Sequence, residues 1–177
     1  RAAVVGRAGT SFGIRASAAS LGGDGAVIVF QDVTDSLALQ RQLAYAASHD
    51  ALTGLPNRTA FEHALDTAIE AARTGAPQVA LCFVDIDRFK TVNDSAGHQA
   101  GDALLRDIGQ LLRSCCRTED MAARLGGDEF GFLLADCSPE TADIAMRRLI
   151  DRIASLRFVW NGMRYSVGAS IGITMLG

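Results

Sequence analysis

Arg124-Leu125-Gly126-Gly127-Asp128-Glu129-Phe130 is the stretch whose reading decides the fold. It lies between two apolar runs, Met121–Ala123 and Phe130–Ala135, each short enough to be a strand. The Gly-Gly-Asp-Glu between them therefore predicts a hairpin tip. Two glycines permit positive φ and leave no side chain to block a ligand approaching the backbone. Two carboxylates follow at once. Such a turn suits a metal-bound phosphate; taken alone it reads first as a solvated hairpin. The rest of the chain has to decide.

Working back from the hairpin, Val79–Val84 is a continuous apolar run of strand length that predicts a central buried strand. It runs straight into Asp85-Ile86-Asp87, and carboxylates at the end of a buried strand are costly unless something positive sits there. A short helix starts over 88–92 and is broken by Asn93-Asp94-Ser95-Ala96-Gly97-His98. Gly101-Asp102 opens a second helix with Ala103, Leu104, Ile108, Leu111 and Leu112 inward. Upstream, Asp50-Ala51-Leu52-Thr53-Gly54-Leu55-Pro56-Asn57-Arg58 is turn-rich and ends by capping a helix with Phe61, Ala64, Leu65, Ala68, Ile69 and Ala72 on one face. Downstream of the hairpin, residues 139–156 predict an amphipathic helix. Two strands, 158–160 and 165–175, then flank the turn Asn161-Gly162. The order from residue 57 is α-β-α-α-β-β-α-β-β, which fits an α+β sandwich with helices on one face of a mostly antiparallel sheet.

The 177 residues, 49% apolar, suffice for one medium domain with a real core plus a smaller piece. A net charge of −3 gives no basic surface and argues against nucleic acid as a partner. Cys82, Cys115, Cys116 and Cys137 lack metal or disulfide-framework spacing and read as reduced thiols of a cytoplasmic domain. His49, His63 and His98 form no cluster. No apolar run approaches the roughly 20 residues that cross a bilayer. The chain begins with Arg and its last strand stops at Gly177, so it reads as an excised fragment, with any membrane segment elsewhere in the parent protein.

Residues 12–21 and 26–32 alternate around Gly22-Gly23-Asp24-Gly25 and predict a β-hairpin in need of a partner sheet. Its ending, Phe30-Gln31-Asp32-Val33-Thr34, followed by a helix, resembles the C-terminal edge of a PAS sensor domain. Residues 36–48 are helix formers that Thr34 or Asp35 can cap. Leu39, Leu43 and Ala46 repeat at coiled-coil spacing, which suits a dimer seam or a helix packed on its own domain. The expected division is 1–34 as the end of a PAS-like domain, 35–49 as a linker helix and 50–177 as the domain bearing the hairpin.

Four stretches stand in order: 50–58, 85–94, Gly97-His98-Gln99-Ala100-Gly101-Asp102, and 124–130. Together they resemble the GGDEF family, the diguanylate cyclases, over residues 48–177, and Ser170-Ile171-Gly172-Ile173 matches that family's closing strand. The resemblance implies a nucleotide-cyclase-like palm, a central mostly antiparallel sheet flanked by helices. It also implies a dimer that condenses two GTP molecules to cyclic di-GMP. The family's C-terminal helix, with a Lys and an Arg for the triphosphate, is missing from this sequence. An alternative function is a GTP-binding regulatory domain controlling a downstream EAL phosphodiesterase. The segment 157–162 resembles such composite proteins.

The residue chemistry is consistent with this. Mg²⁺, or Mn²⁺ in its place, prefers hard oxygens, which Asp85, Asp128 and Glu129 supply; these three are the expected catalytic residues. The resemblance adds the main-chain carbonyl of Ile86 as a metal ligand. Asp87 reads as a cap and is left out of the site. Phe89 and Lys90 begin a helix whose free N–H groups suit phosphate, and Gly126 and Gly127 leave the hairpin backbone open to it. Asn93 and Asp102 suit the guanine edge and are equally placed to cap helices, the two roles being compatible. His98 reads as structural. Arg117-Thr118-Glu119-Asp120 lies five residues before Gly126, where the family carries a product-inhibition site for cyclic di-GMP. It also suits a solvated turn. Arg148 is its expected second arm, with Arg147 as the competing neighbour.

Overall fold

The structure is a computed structural model. It describes the backbone of every residue except 1, 8, 9, 23, 24, 76 and 177, and the side chains of these residues except 2–7, 10–13, 20–22 and 25–27. The chain divides into two compact units, 1–47 and 48–177.

In the first unit, β1 (Ala2–Arg7), β2 (Thr10–Gly22) and β3 (Gly25–Asp32) form an antiparallel sheet in that order. The sequence reading held only the second and third strands, and β1 completes the three-strand minimum for a stable sheet. The turn residues Gly23 and Asp24 fall outside the described residues. Ile28, Val29 and Phe30 are all more than half exposed. Successive strand residues face opposite ways, so both faces of β3 are open there. The helix α1 (Thr34–Ser48) starts with Asp32, not Thr34 or Asp35, supplying the cap contact. The Asp32 carboxylate accepts from the Thr34 N–H at 2.9 Å and its hydroxyl at 2.6 Å. No residue of α1 is buried, and Leu39 and Leu43 are 56% and 61% exposed.

The second unit is built on the antiparallel sheet β5-β6-β4-β9, where β4 is Val79–Asp87, β5 Met121–Gly126, β6 Glu129–Leu134 and β9 Gly168–Leu176. β4 is central, as its apolar run predicts. Ala80, Cys82, Val84 and Ile86 point one way and are at most 2% exposed. They meet α3 (Phe89–Ala96), α4 (His98–Cys115) and α5 (Pro139–Ala154) in the main core, around Leu104, Ile108, Leu112, Leu149 and Ile153. Leu81 points the other way, into a smaller cluster with Phe61 of α2 (Arg58–Arg73), Ala123, Leu125 and Leu133. Helices therefore cover both faces, not one as the sequence reading expects. The cover on the α2 side is partial: two and four residues on from Leu81, Phe83 is 51% exposed and Asp85 is exposed.

Three boundaries differ from expectation. The helix α3 runs on through Asn93 to Ala96, and α4 already begins at His98 rather than at Gly101. Gly97 alone separates them; at φ 84°, ψ 164° it ends one helix and starts the next, a backbone state that suits glycine. The expected strand 165–175 is two strands. β8 (Met163–Tyr165) pairs with β7 (Phe158–Trp160) in a hairpin of its own, while β9 joins β4.

Gly131 shows how closely α2 is seated. A Cβ built there would lie 2.6 Å from the Phe61 ring. Gly131→Ala is therefore expected to cost about 1–3 kcal/mol of stability. Urea unfolding should show the loss shrinking when Phe61 is also shortened to Leu, because the two sites share one clash.

Candidate functional site

Local chemistry holds the hairpin tip. Gly126 and Gly127 carry φ of 150° and 51°, and a Cβ at either would meet nothing within 4 Å. The tip backbone is thus open, as its two glycines predict. Arg124 grips the turn from beneath: its Nε and Nη2 donate to the Gly127 carbonyl at 3.0 and 2.8 Å. Its Nη1 donates to both Asp50 carboxylate oxygens at 3.1 and 3.2 Å. Asp50 in turn accepts from the Thr53 N–H and hydroxyl at 2.8 and 2.7 Å. Burial works against the Asp50 charge, yet the Thr53 hydrogen bonds and the Arg124 guanidinium outweigh it and hold its carboxyl below the usual value. The Arg113 guanidinium donates to the Gly54 carbonyl, tying the same loop to α4.

Beside the tip, β4 and β6 bring Asp85 directly opposite Glu129, and the Ile86 N–H donates to the Asp128 carbonyl at 3.2 Å. Burial, and then the like charges of Asp128, Asp87 and Glu129, push the Asp85 carboxyl above its usual range. Asp85, Asp128 and Glu129 lie at the same end of the sheet, and hard oxygens of this kind are the donors a divalent cation prefers. As the side chains stand, no three acidic, His or Cys groups among the described residues converge as metal ligands. Asp87 is not a cap: it accepts from the Ser170 hydroxyl at 2.8 Å across the sheet.

A cavity of about 520 Å³ opens here, walled by Phe83, Asp85, Glu129, Arg58 and Gly172. Arg58 and Phe83 were not singled out from the sequence. Arg58 follows the Asn57 cap of α2; its Nε donates to the Leu125 carbonyl at 2.9 Å and its Nη2 lies 3.6 Å from Glu129. The motif 50–58 carried that signal. Phe83 is unreadable within a run of apolar residues.

Phe89, Lys90, Asn93 and Asp102 do not line this cavity. Lys90 and Asp102 are exposed. Neither Asn93 nor Asp102 caps a helix: Asn93 sits inside α3, Asp102 inside α4, and Gly97 carries both ends. Asn93 Oδ1 is buried without a hydrogen-bond partner, against Gly101, where a Cβ would stand 2.0 Å from it. A buried polar atom left unpaired is uncommon.

Arg117, Asp120 and Arg148 do come together, on a second cavity of about 340 Å³. Arg147 does not line it and pairs with Asp143 at 2.7 Å instead. The Asp120 carboxylate accepts from the backbone N–H of Arg117 at 2.9 Å and of Ala135 at 3.2 Å, so it also closes the turn. All four cysteines are free; burial pushes Cys82 up to about 12 and Cys116 up to about 11. No helix among the described residues is long and apolar enough to cross a membrane.

Residues 47–177 match the family described as "Diguanylate cyclase, GGDEF domain", and the chain belongs to that family. A curated relative, the probable diguanylate cyclase DgcE of Escherichia coli, is 51% identical over 86% of this chain and 14% of its own length. Diguanylate cyclase SiaD from Pseudomonas aeruginosa, solved with its activator SiaC, is 34% identical with a TM-score of 0.70, covering 80% of this chain and 54% of that one. The coiled coil and GGDEF domain of DgcB from Caulobacter crescentus, solved with c-di-GMP, is 27% identical with a TM-score of 0.75, covering 81% and 76%. The chain spans 14% to 31% of the length of the first curated relatives it matches.

The Asp50 carboxylate sets a pH expectation. A lowered folded value means its contribution is complete above the ordinary 3.8 and is lost as pH falls through the folded value. Thermal unfolding of wild type and Asp50→Asn should differ at neutral pH and converge in acid below that range. Arg124→Ala should lose stability at neutral pH by about 3 kcal/mol, because it strands a half-buried carboxylate and a carbonyl.

Proposed function

We propose that residues 50–177 act as a diguanylate cyclase, joining two GTP molecules into cyclic di-GMP with loss of two pyrophosphates. The observation carrying this is the crowding of Asp85, Asp128 and Glu129 beside an open Gly126-Gly127 backbone at the mouth of a cavity of about 520 Å³. Diguanylate cyclases of this family generally use divalent metal ions. Here Asp85, the Ile86 carbonyl, Asp128 and Glu129 would hold Mg²⁺ or Mn²⁺. When bound, the cation supplies the positive charge that offsets the acids and stabilises the phosphoryl oxygens and leaving group.

The chain's own residues do the rest. Gly126 and Gly127 admit the triphosphate to the hairpin backbone. The Arg58 guanidinium, between the Leu125 carbonyl and Glu129, fixes the Glu129 carboxylate. Phe89 and Lys90, at the N-terminus of α3, receive phosphate charge. Asn93 and Asp102 read guanine, and the unpartnered Asn93 oxygen marks a polar group still awaiting its bond. Each half-site brings one nucleotide, so turnover takes a homodimer, for which the exposed Leu39 and Leu43 of α1 offer a seam. The domain works in the cytoplasm, where GTP is found. Residues 1–34 and 35–49 are its PAS-like sensor edge and linker helix. Arg117, Asp120 and Arg148 take up the product as inhibitor. The regulatory alternative is not favoured: the 51% identical relative is named a cyclase, and Gly126–Phe130 is unaltered.

Asp128→Ala should abolish cyclic di-GMP formation in the full-length parent while GTP binding persists. Turnover retained in that variant, followed by chromatography of the products, would refute the site.

Asp102→Ala should weaken GTP and narrow its margin over ATP by about tenfold or more, since a site built to pair polar edges loses its discrimination with the pair. Titration of both nucleotides decides it, and an unchanged ratio removes Asp102 from the site.

A further inference from the structure

The second cavity holds a cation that sequence reading did not single out. Arg152 lines it together with Arg117 and Arg148. Its guanidinium reaches from α5 to the last turn of α4, where Nη1 donates to Cys115 Sγ at 2.9 Å and Nη2 to Ser114 Oγ at 3.0 Å. Neither acceptor is a carboxylate, and the two bonds orient the guanidinium. A guanidinium has five N–H donors, and two are occupied here. Among the described residues no carboxylate forms an ion pair with Arg117, Arg148 or Arg152, whereas Arg147 next door is paired with Asp143. The Asp120 carboxylate is held by two backbone N–H groups and leaves the cavity with a surplus of two positive charges.

We propose that Arg152 is a third cationic ligand of this cavity, held ready by Ser114 and Cys115, and that the site is matched to a ligand with two phosphodiester charges. This rests on the reading of the cavity as the cyclic di-GMP site. Two arginines beside Asp120 balance only one such charge; Arg152 supplies the other. A planar fork held by two acceptors is also pre-organised, so little side-chain freedom is lost when phosphate arrives.

Calorimetric titration of cyclic di-GMP into the whole chain tests this. Arg152→Ala should bind about tenfold or more weakly, the worth of one charge-assisted contact. Arg147→Ala, which loses only a surface pair, should bind within about twofold of wild type. Alanine at both Ser114 and Cys115 should give an intermediate loss. Added salt should weaken the wild type more steeply than Arg152→Ala, which a purely structural role would not produce. Equal affinities for wild type and Arg152→Ala, or equal salt dependence, overturn the ligand role alone. No heat from the wild type overturns the product-site reading and the inference with it.

Discussion

Everything at the hairpin tip hangs on the Arg124 guanidinium. It bridges a carbonyl of the hairpin turn and a carboxylate 74 residues earlier in the chain. The pair is only 14% and 23% exposed, so it is shielded from water and salt more than a surface ion pair. Two glycines make the tip accessible but also loose, since each adds conformational freedom. Arg124 takes that freedom back from below without placing a side chain in the ligand's path. The loop 50–58, which carries no catalytic group in this reading, is therefore part of the site's foundation.

The sheet is asymmetric for a related reason. On the face of Ala80, Cys82, Val84 and Ile86 three helices complete a dry core. On the other face α2 covers only the Leu81 end, leaving Phe83 and Asp85 open. Burying a phenylalanine side chain fully is worth about 1.5–3 kcal/mol, and here half of that is forgone. The acids repel one another at the same end. Stabilisation is thus forgone where the ligand would arrive, the pattern expected of a site shaped for binding rather than for maximal folding stability.

Much of this was legible in the sequence because the signals are local. Gly126-Gly127 between two apolar runs is a turn, Val79–Val84 has the length and composition of a central strand, and Asn57 before an amphipathic stretch is a cap whose side chain accepts from the Ala60 N–H. What escaped was tertiary. The break between α3 and α4 was spread over six residues, because Asn93, Asp94 and Ser95 are poor helix formers; packing of α3 on α4 overrides that preference and leaves Gly97 as the whole break. The split of 165–175 at Ser166 and Val167 follows from which strands pair, and that is not written in periodicity. Of the site residues, Asp85 and Glu129 were found by type and do face each other. Arg58 and Arg152 act through partners 67 or more and 37 residues away, and no spacing rule reports such distances.

The single-residue joint at Gly97 has a mechanical consequence. Its N–H bonds back to Asn93 and its carbonyl receives the N–H groups of Ala100 and Gly101, so one residue closes two helices at once. No slack remains between them. Loops elsewhere in the domain can lengthen at small entropic cost. Here an inserted residue would rotate α4 about its axis by roughly 100° relative to α3, given 3.6 residues per turn. Asn93 would then no longer meet Gly101, and the orphaned oxygen would face a different wall. The joint works as a fixed gauge between the two helices.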